Sequence, residues 1–250
     1  MNDVLIRPTQ SVLRLHGRNF PTLEISLGGT PKGIVLLACD GGDLLGGTTE
    51  VMNRLAEHGY ESLAAEIPLE DASARLSVLF ARAEERGWTA EQTGMIGWGS
   101  GGRIVLDAIT EKAFGAAVSL SPALRSDDSG NSVAQEEFSG RVATPWLGMF
   151  GADDPAAPES SVANLRAVLG GGSDVHAVAV IYPGVGDGFY RHGNDGVGAY
   201  YTALGTELHT QGRRDELFGG EEIDLDGLVG RALATAGLYQ IKRLVEIALG

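Results

Sequence analysis

At 250 residues, 43% of them apolar, the chain is long enough to bury one sizeable core. Its formal charge of −14, from 19 basic and 33 acidic residues, and the lack of any basic stripe argue against nucleic acid or an anionic membrane as partner. The single Cys39 cannot form an internal disulfide, and neither a leader-like start nor a bilayer-spanning apolar run is present, so a soluble cytoplasmic protein is expected.

Residues 11–15 and 22–27 alternate apolar and polar side chains between glycine and proline punctuation, which predicts the two strands of an antiparallel hairpin edge. Residues 33–38 are continuously apolar, as in a strand covered on both faces. After a turn at 39–42, Val51, Met52, Leu55 and Ala56 predict a helix over 48–58, stopped by Gly59. Residues 42–47, with Leu44 and Leu45, read as a flexible lip. The next strand is 62–65, and Leu76, Leu79, Phe80 and Ala83 predict a helix over 72–86.

The run Met95-Ile96-Gly97-Trp98-Gly99-Ser100-Gly101-Gly102-Arg103-Ile104-Val105-Leu106 then passes from an apolar strand through a glycine cluster into an apolar-periodic helix that ends near Glu111. Strands over 116–120, 146–151 and 175–182 follow, with an excursion rich in Ser, Asp, Gly and Glu at 124–141. Helices are expected over 160–169, closed by Gly170-Gly171-Gly172, and over 196–211. Strand and helix alternate, which predicts an α/β fold with a mostly parallel, doubly wound sheet and an N-terminal antiparallel edge. Residues 1–218 would form that domain. Residues 219–250 would add a C-terminal helical extension, its apolar face spaced as Leu225, Leu228, Val229, Ala232 and Leu233. This helix either packs on its own sheet or forms a homodimer face.

In parallel sheets ligands bind beyond the carboxyl ends of the strands. Asp40, Gly99, Asp154 and Asp187 each follow a predicted strand and would share that rim. Carboxylates packed together raise the pKa of at least one of them, and an acid beside a carboxylate is a workable acid/base pair. Asp187 could equally cap its own glycine-rich turn, or the acids could hold a hard cation. No histidine shows metal-ligand spacing, and no cofactor is expected.

The strand–turn–helix motif resembles a nucleophile elbow, Gly-x-nucleophile-x-Gly, with Gly97 and Gly101 as the frame. Together with Gly151-Ala152-Asp153-Asp154 and Tyr182-Pro183-Gly184-Val185-Gly186-Asp187-Gly188-Phe189, in that chain order, it resembles the dienelactone hydrolase family of α/β-hydrolases over about residues 30–215. The resemblance implies an α/β-hydrolase fold, Asp154 as the triad acid and a small-molecule substrate. It also implies Arg191 as an anion-binding arginine, and Asp40 in place of a glutamate that pairs with the resting thiol. Asp40, Gly41, Trp98 and Arg191 are the expected substrate contacts.

Two positions depart from that pattern. Gly99 stands where the family carries its cysteine nucleophile, and Asp187 where it carries histidine. Acyl transfer needs a nucleophile, a base to take its proton and an acid to orient the base. One reading is a degenerate triad whose pocket binds a small molecule, an anionic one included, or does non-covalent acid/base chemistry. The other is an active hydrolase of small esters or lactones using Ser100 with His192 and Asp154. Ser100 is otherwise expected to cap a helix beginning at Gly101, its N–H forming an oxyanion hole with that of Gly41. His192 is otherwise a loop histidine.

Overall fold

The computed structural model describes residues 6–39, 44–45, 47–124, 142–172, 175, 177–182 and 186–187. Asp40, Gly41, Arg191 and His192, the excursion at 125–141, the helix expected at 196–211 and the extension at 219–250 lie outside the described residues.

Eight strands form one sheet in the order β1-β2-β4-β3-β5-β6-β7-β8. β1 (Thr9–Leu15) and β2 (Arg18–Ile25) make the antiparallel edge, and β2 also runs antiparallel to β4 (Glu61–Glu66). From β4 onward every pairing is parallel, through β3 (Ile34–Cys39), β5 (Thr93–Trp98), β6 (Ala116–Leu120), β7 (Trp146–Gly151) and β8 (Ala177–Tyr182). Parallel neighbours need crossovers. Helices α1 (Gly47–Glu57), α2 (Ala72–Glu85), α3 (Ser100–Glu111) and α4 (Glu159–Gly172) lie in the connections from β3 to β4, β4 to β5, β5 to β6 and β7 to β8.

The continuous apolar runs are the strands buried on both faces. In β3, Ile34, Leu36 and Ala38 enter one core, with Leu79, Val105 and Leu165 from α2, α3 and α4. Val35, Leu37 and Cys39 enter the other, with Met52 and Leu55 of α1. Successive strand side chains point to opposite faces, so a strand between two helical layers must be apolar at every position.

Three of the boundaries that differ from expectation have a local cause. β2 runs through Pro21, because β4 pairs only with Thr22–Ile25 and the missing proline N–H faces no acceptor there. The α4 helix continues through Gly170-Gly171-Gly172 instead of closing before them, since glycine weakens a last turn without forbidding it. The α3 helix begins at Ser100, one residue earlier than expected.

A buried ionic cluster, unread in the sequence, ties α2 to the antiparallel edge. Arg86 Nη2 lies 2.6 Å from Glu61 Oε2, Arg82 Nη2 lies 3.1 Å from Glu24 Oε2, and the Trp88 indole N–H donates to Glu61 at 2.8 Å. Burial alone would raise the Glu24 pKa, but hydrogen bonds from Ser11 and Arg82 and the charges of Arg82 and Arg86 outweigh it and hold the carboxyl below its usual range.

Candidate active site

The elbow follows directly from the glycine spacing. β5 ends at Trp98, Gly99 has φ 57° and ψ −122°, and α3 starts at the next residue. A side-chain-bearing residue is strained at those angles, and glycine is not. The Gly99 carbonyl accepts the Arg103 N–H, so Gly99 is the N-cap, and no side chain caps the helix. Ser100 is therefore not the cap. It occupies the first helical position, because the backbone has already left the strand at Gly99.

Close packing holds this bend. A Cβ on Gly101 would overlap the Ala38 carbonyl oxygen of β3, so the first turn of α3 lies directly on the sheet. The Gly99 N–H donates to the Leu120 carbonyl at 2.9 Å. Ser119 Oγ donates to the Gly102 carbonyl at 2.8 Å and accepts the Trp146 indole N–H at 2.9 Å. Thus β6 and β7 both brace the bend.

Next along the rim is Ser121, immediately after β6. It is a non-glycine residue with φ 44°, it is 2% exposed, and its hydroxyl has no hydrogen-bond partner among the described residues. Its N–H donates to the Met149 carbonyl at 2.8 Å. A left-handed conformation costs an L-residue about 1–2 kcal/mol, and an unpaired buried hydroxyl about 1–3 kcal/mol. Sequence reasoning missed Ser121. Its cue was its place as the first residue past a fully apolar strand.

Asp154 follows β7 in a turn closed by its own N–H to the Gly151 carbonyl. It is 2% exposed. Oδ1 accepts the Ala156 N–H at 2.8 Å, whereas Oδ2 is buried without a partner among the described residues. The Ala152 N–H donates to the Tyr182 carbonyl, and Gly186 sits where a Cβ would be 3.4 Å from the Asp153 carbonyl oxygen. These contacts seat Gly186 against Asp153, and the charge of the exposed Asp187 reaches Asp154. Burial pushes the Asp154 carboxyl up from its ordinary value. The Ala156 N–H opposes this, and the Asp187 charge adds to the rise.

The structure thus brings Gly99 and Ser100 to the end of β5, Asp154 to the end of β7 and Asp187 beyond the end of β8, with Ser121 between them at the end of β6. Trp98 is 4% exposed and packs with the α1-side core. Among the described residues no group of three or more His, Cys, Asp or Glu is placed to hold a metal ion, and no helix is long and apolar enough to cross a membrane. A cleft of about 410 Å³ lined by Leu13, Leu15, Val78 and Arg82 lies between β1 and α2, at the opposite edge of the sheet from β8.

The sequence pattern of the dienelactone hydrolase family matches residues 69–212. Solved structures share the fold. A Klebsiella pneumoniae protein provisionally named a dienelactone hydrolase is 19% identical, with 79% of this chain and 95% of that one covered, at a TM-score of 0.64. The Pyrococcus furiosus esterase Pf2001 is 12% identical, with 78% and 92% covered, at a TM-score of 0.61. An esterase from Pyrobaculum calidifontis is 18% identical, with 82% and 86% covered, at 0.58. No curated protein matches at a significant level.

Proposed function

The chain belongs to the dienelactone hydrolase family, and from that premise we propose that it has given up acyl-enzyme hydrolysis and uses its rim site on a small molecule without a covalent intermediate. The observation that carries this reading is the backbone of Gly99. It holds the bend at which a hydrolase of this fold lifts its nucleophile, at φ 57° and ψ −122°, and a hydrogen atom stands in place of the side chain. A glycine has nothing with which to attack an acyl carbon, and Ser100 belongs to the helix beyond the bend.

What remains is a pair of carboxyl groups. Asp154, its proton held more tightly than usual, serves as the acid, and Asp187 beside it as the base. Such a pair supports binding, or proton transfer between two positions of one ligand, as in an isomerisation, with no group transferred to the protein.

The test uses p-nitrophenyl acetate with the full-length chain. The expected result is no turnover above background that depends on Ser100. The double substitution Gly99→Ser with Asp187→His is expected to create measurable esterase activity, because it returns a nucleophile and a base to a frame that is otherwise present. Turnover abolished by Ser100→Ala would overturn the reading in favour of a working hydrolase. A folded double variant as inert as the parent would also count against the reading, because the frame would then not be that of a disarmed hydrolase.

A further inference from the structure

Four buried side-chain atoms lack a partner among the described residues: Ser62 Oγ, Arg75 Nε, Ser121 Oγ and Asp154 Oδ2. Ser62 lies within β4, and Arg75 satisfies its other nitrogens through the Glu66 carbonyl and Asp71. The remaining two sit at the carboxyl ends of neighbouring strands, and the loops that carry them are joined by the Leu124 N–H to the Ala156 carbonyl at 2.8 Å. Ser121 also bears a backbone conformation that an L-residue adopts at a cost. His16, the other described non-glycine residue at positive φ, lies in the two-residue turn between β1 and β2, where such angles belong. No hairpin accounts for Ser121. Its N–H is committed to Met149, and the following Pro122 has none to offer.

We infer that Ser121, Asp154 and Asp187 form one recognition site for the ammonium group of a small organic amine. This deepens the reading of the rim as a non-covalent small-molecule site and rests on it. The chemistry is complementary. Asp154 Oδ2 and Ser121 Oγ are buried acceptors without donors. A bound ammonium favours the ionised form of Asp154, which gives up its proton on binding, Asp187 adds a second negative charge, and neither aspartate is in an ion pair with Arg or Lys among the described residues. An ammonium carries three N–H donors and the missing positive charge. An anionic ligand end would meet two carboxyl groups there, and a neutral hydroxyl would leave their charge uncompensated.

The experiment is calorimetric titration of the full-length chain at neutral pH and physiological salt with three probes of matched shape: benzylamine, benzyl alcohol and benzoate. Benzylammonium is expected to bind saturably and about tenfold or more tightly than either other probe. Asp187→Asn and Ser121→Gly are each expected to weaken it about fivefold or more. Ser121→Gly separates ligand contact from scaffolding. Glycine relaxes the strained φ, so the melting temperature should hold or rise while affinity falls.

Equal binding of the alcohol, preference for benzoate, or absence of saturable amine binding would each overturn the inference. Amine affinity unmoved by both substitutions would do the same, because it would mean general attraction to an acidic chain. Displacement of the amine by magnesium chloride at millimolar concentration would mark an inorganic cation site instead. Ester turnover that depends on Ser100 would sink the reading of the site without touching the amine isotherm, so the two failures are distinguishable.

Discussion

The indole N–H of Trp146 donates to the hydroxyl of Ser119 at 2.9 Å, and that hydroxyl donates onward to the Gly102 carbonyl at 2.8 Å. Both side chains are buried. A strand-borne serine thereby links the start of β7 to the first turn of α3. Ser119→Ala removes the shared hydroxyl, leaves the buried Trp146 indole N–H unpaired and takes from the Gly102 carbonyl its second donor. The expected loss is about 1–3 kcal/mol for the stranded N–H, read by urea denaturation. Ser119→Thr, which keeps the hydroxyl, should recover part of it.

The elbow glycines make a second prediction. A Cβ on Gly101 would overlap the backbone oxygen of Ala38, and neither β3 nor the first turn of α3 can move without disturbing the sheet. Gly101→Ala should destabilise by about 1–3 kcal/mol or more. Gly28, by contrast, has open space around it and an ordinary φ, so Gly28→Ala should be neutral or slightly stabilising. Thermal melts of the two variants side by side check the pair.

Arg86 is the hinge of the ionic cluster. It reaches Glu61 at 2.6 Å, Glu24 at 3.5 Å and the Ile25 carbonyl at 2.9 Å. Arg86→Met keeps much of the packing and leaves the buried Glu61 without a counter-ion, while Glu24 retains Arg82, for an expected loss of about 3–5 kcal/mol near neutral pH. Glu24 has a lowered pKa in the fold, so the stability it contributes is present above its unfolded value and lost as pH falls through its folded one. The gap between variant and parent should therefore narrow on acidification, as denaturation curves across pH would record.

Asp154 predicts the opposite sign. Its folded pKa is raised, so the protonated form favours the fold, and that contribution is lost as pH rises through the folded value. Asp154→Asn removes the charge and retains an acceptor for the Ala156 N–H. At pH 7 and above the variant should melt about 2–4 °C higher than the parent for each kcal/mol relieved. Its advantage should fade as pH drops and vanish near the unfolded carboxyl value of about 3.9. A constant difference across that range would refute the assignment.

Much of the molecule was legible in the chain itself. Strand β6 and strand β7 occupy the residues their apolar runs predict, and α1, α2 and α3 begin within one residue of expectation. The sharp bend at Gly99 and its place before α3 were readable too. These features are local. Burial on both faces forces unbroken hydrophobicity, helical periodicity marks a covered face, and a backbone forced to φ 57° against a neighbouring strand selects glycine at fixed spacing. The sequence by itself therefore determined the α/β class, the order of elements and the absence of a side chain at the apex of the bend.

Other features belong to the tertiary structure alone. Glu24 and Arg86 are 62 residues apart, and only the packing of α2 on the antiparallel edge makes them a pair. Ser121 looks like any serine before a proline until its φ of 44° and its unpaired hydroxyl are known. Asp154 feels the charge of Asp187 because β7 and β8 are neighbours in the sheet and Gly186 lies against Asp153. Long-range contacts of this kind depend on where the sheet brings its strand ends, and a pattern of neighbours along a chain carries no record of distance across it.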